Sequence, residues 1–457
     1  MTDHPFDVVV LGGGSGGYAA AIRAAELGKS VALIEKDKVG GTCLHRGCIP
    51  TKALLHAAEI ADNVRESASF GVRATFEAID LEGVRAYREG IVAKKYKGLE
   101  GLMKARRITV VTGEGRLEPG RAVRVGDDRY IGADVILATG SYSRTLPGLE
   151  IGGRILTSEQ ALELAEIPRR VVVLGGGVIG VEFASVWRSF GVEVTIVEAL
   201  DHLVPVEDVA LSKGLERAFR KRGIAYSLGV RFASATQTAD AVTVTLEDGK
   251  TFEADYLLVA VGRAPLTAGL GYEDAGVTLD RGFVVVDERL RTSAERVWAV
   301  GDIVPGLQLA HRGFAQGIFV AEEIAGLSPV TVPDAHVPRV TYSHPEVASV
   351  GISEAKAVEE LGADAVVAYE YNLAGNGRSE ILGTAGIVKV VRRKDGPVVG
   401  VHLIGDRVGE LITEGQLAVG WEAHPEDIAP FVHAHPTQSE ALGEAFLALA
   451  GKPLHAL

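Results

Sequence analysis

Two cysteines occur in this chain of 457 residues, and they lie five positions apart in GGTCLHRGCIPTK. A lone close pair in a large chain without secretory features points to catalysis or metal binding more often than to a disulfide framework. On an ideal helix, residues five apart rise ~7.5 Å and sit on different faces, beyond the reach of a disulfide. A bond between Cys43 and Cys48 therefore demands a distorted turn, for which Gly47 between them and Pro50 just after them offer the means. Strain or exposure makes such a bond reducible rather than merely stabilising. The other readings are a metal site, an inert bridge, or two free thiols. A metal would need further ligands at a known spacing, and an inert bridge over so short a loop adds little in a reducing compartment. Redox chemistry is the reading the pair favours.

A second chemical group stands near the C-terminus in FVHAHPTQSEALGEAF. His435 precedes Pro436, which ties it to an extended approach, and Glu440 follows at the start of an apolar-periodic helix. A nearby carboxylate orients an imidazole and raises its basicity, which suits a base that deprotonates a thiol. Alone, His435 would read as a packing or capping residue. His433-x-His435 looks like half a zinc site, but no acid or cysteine ligands stand at suitable spacing, so no metal is expected.

These groups need elements to hold them. DVVVLGGGSGGYAAAIRAAELGKSVALIEK reads as strand, glycine turn, helix and strand, with Gly12, Gly14 and Gly17 forming GxGxxG and Glu35 ending the second strand. Such a turn lets backbone approach a pyrophosphate at a helix N-terminus, and the acid holds a ribose hydroxyl. In RVVVLGGGVIGVEFASVWRSFGVEVTIVEA, Gly175, Gly177, Gly180, Gly191 and Glu198 repeat Gly12, Gly14, Gly17, Gly28 and Glu35 at one offset of 163 residues. One such turn is weak; two in register predict two dinucleotide sites. Glu198 is followed by Ala199, Leu200, Asp201, His202 and Leu203, with no cation for a 2′-phosphate, which favours NAD over NADP.

The cysteines follow the first unit at once, Cys43 lying eight residues after Glu35, so their sulfurs can lie alongside an extended FAD. ILATGSYSR (136–144) and LLVAVGRAP (257–265) each end a strand in a glycine turn where the chain could pass between domains. VWAVGDIV places Asp302 where an acid could bind ribityl hydroxyls, with helix capping as its plainer role, and LQLAHRGFAQG begins like a helix. Candidate cofactor contacts beyond the two turns are Thr42, Lys52, Gly115, Thr139, Gly140, Ser141, Asp302, Leu309, Ala310, His311, Val230 and Gly262.

Over essentially its whole length the chain resembles the pyridine nucleotide-disulfide oxidoreductases. GGTCLHRGCIPTK is similar to their highly specific redox signature and HAHPTQSE to the C-terminal signature of the disulfide-reducing members. The resemblance implies that Cys43 is the thiol exchanging with substrate, Cys48 the thiol against the flavin, and Lys52 and Glu182 an ion pair beside the reactive flavin nitrogen. Glu182 stands where the first copy has Ala19. The implied fold is α/β, with two Rossmann-like domains for FAD and NAD and an α+β C-terminal dimerisation domain. Its parts would be an FAD-binding domain at 1–147, an NAD-binding domain at 148–264, a central domain completing the FAD site at 265–334, and an interface domain at 335–457. A homodimer follows, in which His435 and Glu440 reach the cysteine pair of the partner subunit.

The implied activity is oxidation of a dihydrolipoyl group to lipoyl disulfide with reduction of NAD, by ping-pong kinetics. The alternatives are an NAD(P)H-dependent reductase of another low-molecular-weight disulfide or quinone, and a scaffold component of a larger assembly. A mercuric reductase would carry a second, C-terminal cysteine pair. Two positions depart from the family pattern: His45 stands where Asn is usual, and Gln316 where many relatives carry an acid. With Gly12 so near the start, no lipoyl domain is expected before Phe6, so the dihydrolipoyl group would arrive as free dihydrolipoamide or on another protein. Docking to the acyltransferase core of a 2-oxo acid dehydrogenase complex is one such route.

The bulk numbers agree with a soluble enzyme of several domains. Length predicts two to four domains, and 47% apolar with 23% charged residues is ordinary for a globular chain. A net charge of −13 with scattered basic residues argues against nucleic acid. No apolar stretch approaches a membrane span, and MTDHPF carries no leader features, so the expected place is the cytoplasm.

Overall fold

The computed structural model describes residues 2–455 and divides into two compact units. The first comprises the chain up to Leu54, Asp80–Arg144 and Gly262–Asp334. Its sheet sets Thr109–Thr112, Val31–Glu35, Thr2–Leu11 and Asp128–Leu137 side by side in parallel, and Val297–Ala299 pairs in parallel with the end of Asp128–Leu137. Ala122–Val125 and Gly115–Glu118 extend the sheet in antiparallel register. Val8, Val9 and Val10 are all buried, as a continuous apolar run must be when helices or strands cover both faces. The helices Ser15–Glu26 and Ala310–Ile324 pack closely because their contact is glycine: a Cβ at Gly317 would stand 2.2 Å from the Gly16 carbonyl oxygen.

The second unit comprises Leu55–Ile79, Thr145–Val261 and the chain from Ala335 onward. It repeats the parallel order, with Ala225–Ser227, Glu193–Val197, Arg170–Leu174, Tyr256–Val259 and Ile155–Leu156 in sequence across the sheet. The turn helix Val178–Ser189 matches Ser15–Glu26 in length and at the same offset of 163. A meander of Phe232–Gln237, Val242–Leu246 and Thr251–Ala254 buries only Val242, Val244 and Leu246 of its alternating middle strand.

From Arg339 the chain builds an antiparallel sheet in the order Arg339–Thr341, Glu346–Gly351, Val398–Gly405, Ile387–Arg393, Val366–Asn372. The helices Val408–Gly420 and Glu440–Leu449 cover it, burying Ile412, Leu442 and Phe446 against Val390, Val401 and Leu403. Lys389, 4% exposed, is compensated by Asp208, Glu354 and Glu370 at 3.0, 2.7 and 3.4 Å. Among the described residues no helix is long and apolar enough to cross a membrane.

One carboxyl in this unit makes stability depend on pH. Burial pushes Glu346 up to about 7, against the hydrogen bond from the Gly409 N–H and with the help of the negative charges of Asp406, Glu410 and Glu59. Between 4.5, the ordinary value, and about 7 the folded chain therefore holds a proton that the unfolded chain has lost, so stability falls as pH rises through this window. Glu346→Gln keeps an oxygen for Gly409 and removes the ionisation. It is expected to gain ~1–3 kcal/mol at pH 8 and little at pH 4.5; an equal gain in thermal melts at both pH values would refute ionisation as the cause.

Candidate active site

The short helix Gly41–His45 ends between the two cysteines, and a new helix, Cys48–Glu66, begins at the second. The break lies at Arg46, whose φ of −139° and ψ of 12° leave the helical region. Gly47 is not in the left-handed region; it provides room, since a Cβ there would stand 3.1 Å from the Thr42 carbonyl oxygen. Pro50 does not make this bend but sits in the first turn of the second helix, where a missing N–H costs nothing. The distorted turn demanded by the spacing is thus present, with its bend one residue earlier than Gly47.

Cys43 and Cys48 are both half-buried and lie within hydrogen-bonding reach of each other. That hydrogen bond, followed by burial and the charge of Cys48, drives the Cys43 thiol strongly upward, while the positive charge of Lys52 opposes the shift. The cysteine segment is seated on the first glycine turn: the Gly40 N–H donates to the Gly13 carbonyl at 2.8 Å, and a Cβ at Gly41 would stand 2.7 Å from Gly14 Cα. Gly40 and Gly41, with φ of 113° and 58°, are what allow this approach. His45 steadies the same segment, its Nε2 lying 3.0 Å from the Val39 carbonyl and its ring edge-on to Tyr96.

Tyr18, which sequence reasoning did not select, shares this environment. Its phenol is pushed up to about 12, first by burial and then by negative charge at Cys43 and Cys48. Its place one residue after Gly17 on the turn helix was the available signal.

The two glycine turns agree in detail. Gly12 and Gly175 have φ of 106° and 110°, and a Cβ on either would stand 2.3 Å from a carbonyl oxygen, of Ala138 and Ala260 respectively. A Cβ at Gly17 or Gly180 would collide with the carbonyl of Gly12 or Gly175 at 1.8 and 2.0 Å. Gly14 and Gly177 differ, because a Cβ there meets nothing within 4 Å. Each is the N-cap of its helix without a side-chain cap, so first-turn N–H groups face open space at the positive end of a helix dipole. That donor set fits a pyrophosphate. Glu35 accepts from the N–H groups of Gly13 at 2.7 Å and Asp37 at 2.9 Å; Glu198 accepts from those of Gly176 at 2.6 Å and Leu200 at 2.8 Å. Each carboxylate is therefore fixed by backbone and retains lone pairs for a ribose hydroxyl.

Because the fold does not use the open space at Gly177, Gly177→Ala is expected to leave thermal stability within ~0.5 kcal/mol. Its methyl would crowd a bound pyrophosphate and raise KM for NAD at least about tenfold, equivalent to ~1.4 kcal/mol. Unchanged NAD kinetics would remove the second turn as a nucleotide site.

The other candidates divide by unit. In the first, Asp302 accepts from the Ser141 hydroxyl at 2.5 Å, and Ser141 accepts from Arg263 Nε at 2.7 Å. The Thr139 hydroxyl donates to the Leu266 carbonyl at 2.6 Å and meets the Tyr272 hydroxyl at 2.8 Å. Gly115 has a packing reason of its own, since a Cβ would stand 2.5 Å from Leu11 and 2.9 Å from Ile34. Leu309 is an extended N-cap without a side-chain cap, and Ala310 and His311 open the helix Ala310–Ile324. Gln316 accepts from the Gly301 N–H at 2.8 Å, a role for which an amide serves as well as an acid.

In the second unit, Glu182 is buried and accepts from the Tyr342 N–H at 2.9 Å. The Val230 N–H donates to the Glu198 carbonyl at 3.3 Å. His435 Nδ1 lies 2.8 Å from Glu440 Oε1, and the Thr437 N–H donates to Glu440 Oε2 at 2.7 Å. Desolvation pushes Glu440 up, but these two hydrogen bonds outweigh it and hold the carboxyl below its ordinary range. His433 pairs with a different acid, Glu414, at 2.8 Å, so the two histidines do not share a ligand set.

Residues 6–317 match the family model of pyridine nucleotide-disulphide oxidoreductases, and residues 337–446 match the dimerisation domain of the same family. The chain is 41% identical to a dihydrolipoyl dehydrogenase of Bacillus subtilis, over 98% of this chain and 99% of that one. It is 40% identical to a dihydrolipoyl dehydrogenase of Geobacillus stearothermophilus, over 98% and 97%. The crystal structure of LpdA from Mycobacterium tuberculosis superposes with a TM-score of 0.90 at 29% identity, covering 98% of this chain and all of that one. With its two glycine turns, its cysteine pair and these likenesses along its length, the chain belongs to the pyridine nucleotide-disulphide oxidoreductases.

Proposed function

We propose that this chain is an NAD-dependent flavoprotein that oxidises dihydrolipoyl groups to lipoyl disulfide through Cys43 and Cys48. The observation that carries the reading is the cysteine pair seated on the uncapped first glycine turn, which would bring a dithiol within reach of a dinucleotide bound at that turn. The dihydrolipoyl substrate is supported by the full-length likeness to dihydrolipoyl dehydrogenases.

The oxidising form of the site is the Cys43–Cys48 disulfide. His435, oriented by Glu440, takes the proton of one substrate thiol, and the thiolate attacks Cys43 Sγ, breaking the bond to Cys48. The second substrate thiol then displaces Cys43 and gives up its proton to the departing Cys43 sulfur, so the substrate leaves as a disulfide and the enzyme holds a Cys43 thiol and a Cys48 thiolate, the first proton resting on His435. The hydrogen bond to Cys48, then burial, favours the protonated form of Cys43. Cys48 stands at the N-terminus of a long helix, where negative charge is favoured, and Lys52 lies one turn further on. Gly12, Gly14, Gly17 and Glu35 would hold FAD, which when bound would supply the two-electron relay between this dithiol and NAD. Gly175, Gly177, Gly180 and Glu198 would hold the NAD; the fixed carboxylate of Glu198 repels a 2′-phosphate and so selects against NADP.

The enzyme acts as a homodimer in which His435 and Glu440 serve the cysteine pair of the partner subunit, and Lys52 and Glu182 form the ion pair beside the flavin. Its substrate is free dihydrolipoamide or a dihydrolipoyl-bearing protein of the cytoplasm, with the acyltransferase core of a 2-oxo acid dehydrogenase complex as docking partner. Anaerobic absorbance titration of the purified protein with dihydrolipoamide, NADH and NADPH tests the reading. Visible absorbance that responds to dihydrolipoamide and NADH, with turnover on dihydrolipoamide plus NAD, is the expected result. A protein that responds only to NADPH, or reduces quinones and ignores dithiols, would keep the fold and lose the substrate.

A further inference from the structure

The segment from Phe431 to Ser439, between the helices Val408–Gly420 and Glu440–Leu449, has no regular structure, yet it carries His435. The His435 side chain is 80% exposed in the single chain, so packing within the chain does not fix it, and Glu440 fixes only one edge of the ring. Within the chain its place comes from the backbone on either side. On the C-terminal side, the Thr437 N–H is held by Glu440, its hydroxyl donates to the Ala434 carbonyl at 2.6 Å, and its carbonyl accepts from buried Asn376 at 2.9 Å.

On the N-terminal side the anchor is His433. Its side chain is 15% exposed, and its Nε2 lies 2.8 Å from Oε1 of Glu414 on the helix Val408–Gly420. The ring rests on Gly443, where a Cβ would stand 2.6 Å from Nδ1 and 2.8 Å from Cε1. The missing side chain at 443 is what opens the seat. The hydrogen bond to Glu414 raises His433 against the opposing effect of burial.

We infer that Glu414 and His433 are a positioning pair for His435, resting on the proposed role of His435 as the thiol base. The H-x-H motif then has one histidine for chemistry and one for place, each held by a carboxylate from a different helix. A base displaced by about 1 Å costs up to ~10²-fold in rate without weakening substrate binding.

The test uses the flavin-loaded enzyme and the variants Glu414→Ala, Glu414→Gln and Gly443→Ala. Each is assayed for dihydrolipoamide oxidation with NAD and for NADH oxidation by ferricyanide, which involves no thiol. Glu414→Ala is expected to lower kcat with dihydrolipoamide at least about tenfold, with KM within about twofold and the ferricyanide rate retained. Glu414→Gln, which still offers His433 an acceptor, recovers most of the loss. Gly443→Ala reproduces it by displacing the ring without removing a charge. Full dithiol activity in both Glu414→Ala and Gly443→Ala overturns the inference, and so does an equal loss in both assays, because the pair would then hold the fold at large. His435→Gln separates the two levels: if it leaves dithiol oxidation intact, the reading of His435 itself fails. If it abolishes oxidation while Glu414→Ala and Gly443→Ala do not, the positioning role alone is lost.

Discussion

Cys43→Ser is expected to abolish NAD reduction by dihydrolipoamide while the protein stays yellow and still oxidises NADH with ferricyanide. Serine nearly matches cysteine in size and can keep a hydrogen bond with Cys48, and Cys43 lies in the middle of a short helix whose shape does not depend on the sulfur. The fold should survive, but an Oγ cannot form or exchange a disulfide. Cys48→Ser should be equally inactive in turnover for a different reason. It leaves Cys43 as a lone thiol, able to form a mixed disulfide with an open-chain disulfide such as cystamine, whose other half departs, but unable to resolve it. Mass spectrometry after incubation with cystamine should find that adduct in Cys48→Ser and not in Cys43→Ser. Retention of a tenth or more of the wild-type dithiol activity by either variant would sink the Cys43–Cys48 mechanism.

These two residues were readable from the sequence because their chemistry leaves few alternatives, and the glycine turns were readable because backbone geometry does. Gly12 and Gly175 need a left-handed φ and Gly17 and Gly180 have no room for a Cβ, so any sequence making this turn twice must repeat these glycines at one offset. A Cβ at Gly14 or Gly177 would meet nothing within 4 Å, so packing alone does not call for glycine at either position. The α/β class follows from the same repeat, since each strand–turn–helix–strand unit builds a parallel sheet.

What was not legible rests on ordinary residue types meeting across long sequence distances. Nothing in the sequence places the helix break at Arg46, because a φ of −139° there needs no special residue. The spacing pointed instead to Gly47 and Pro50, the residues with recognisable backbone habits. His433 drew notice only as half of a metal motif; its actual partner, Glu414, lies on another helix at a separation no local pattern encodes. Gly115, a candidate cofactor contact, also has a packing reason to be glycine that no local pattern shows, since a Cβ there would collide with Leu11 and Ile34, distant in sequence.

His435→Gln is expected to lower the dithiol half-reaction by ~10²–10⁴-fold, the usual contribution of a positioned general base. Glutamine can still meet Glu440 through its amide, so the segment keeps its anchor, but it offers no nitrogen able to accept a proton. The residual rate should then depend on dihydrolipoamide that has already ionised in solution. Below the pKa of the free thiol, that fraction grows about tenfold per pH unit, so the variant should gain rate steeply between pH 7 and 9 while the wild type gains little. The carboxyl of Glu440 lies below its ordinary range and stays ionised throughout this interval, so it adds no titration of its own. Stopped-flow measurement of enzyme reduction by dihydrolipoamide across that range separates base catalysis from a loss of folding, which would lower the rate at every pH alike. A variant whose rate stays near that of the wild type at pH 7 would mean that the thiol is deprotonated elsewhere.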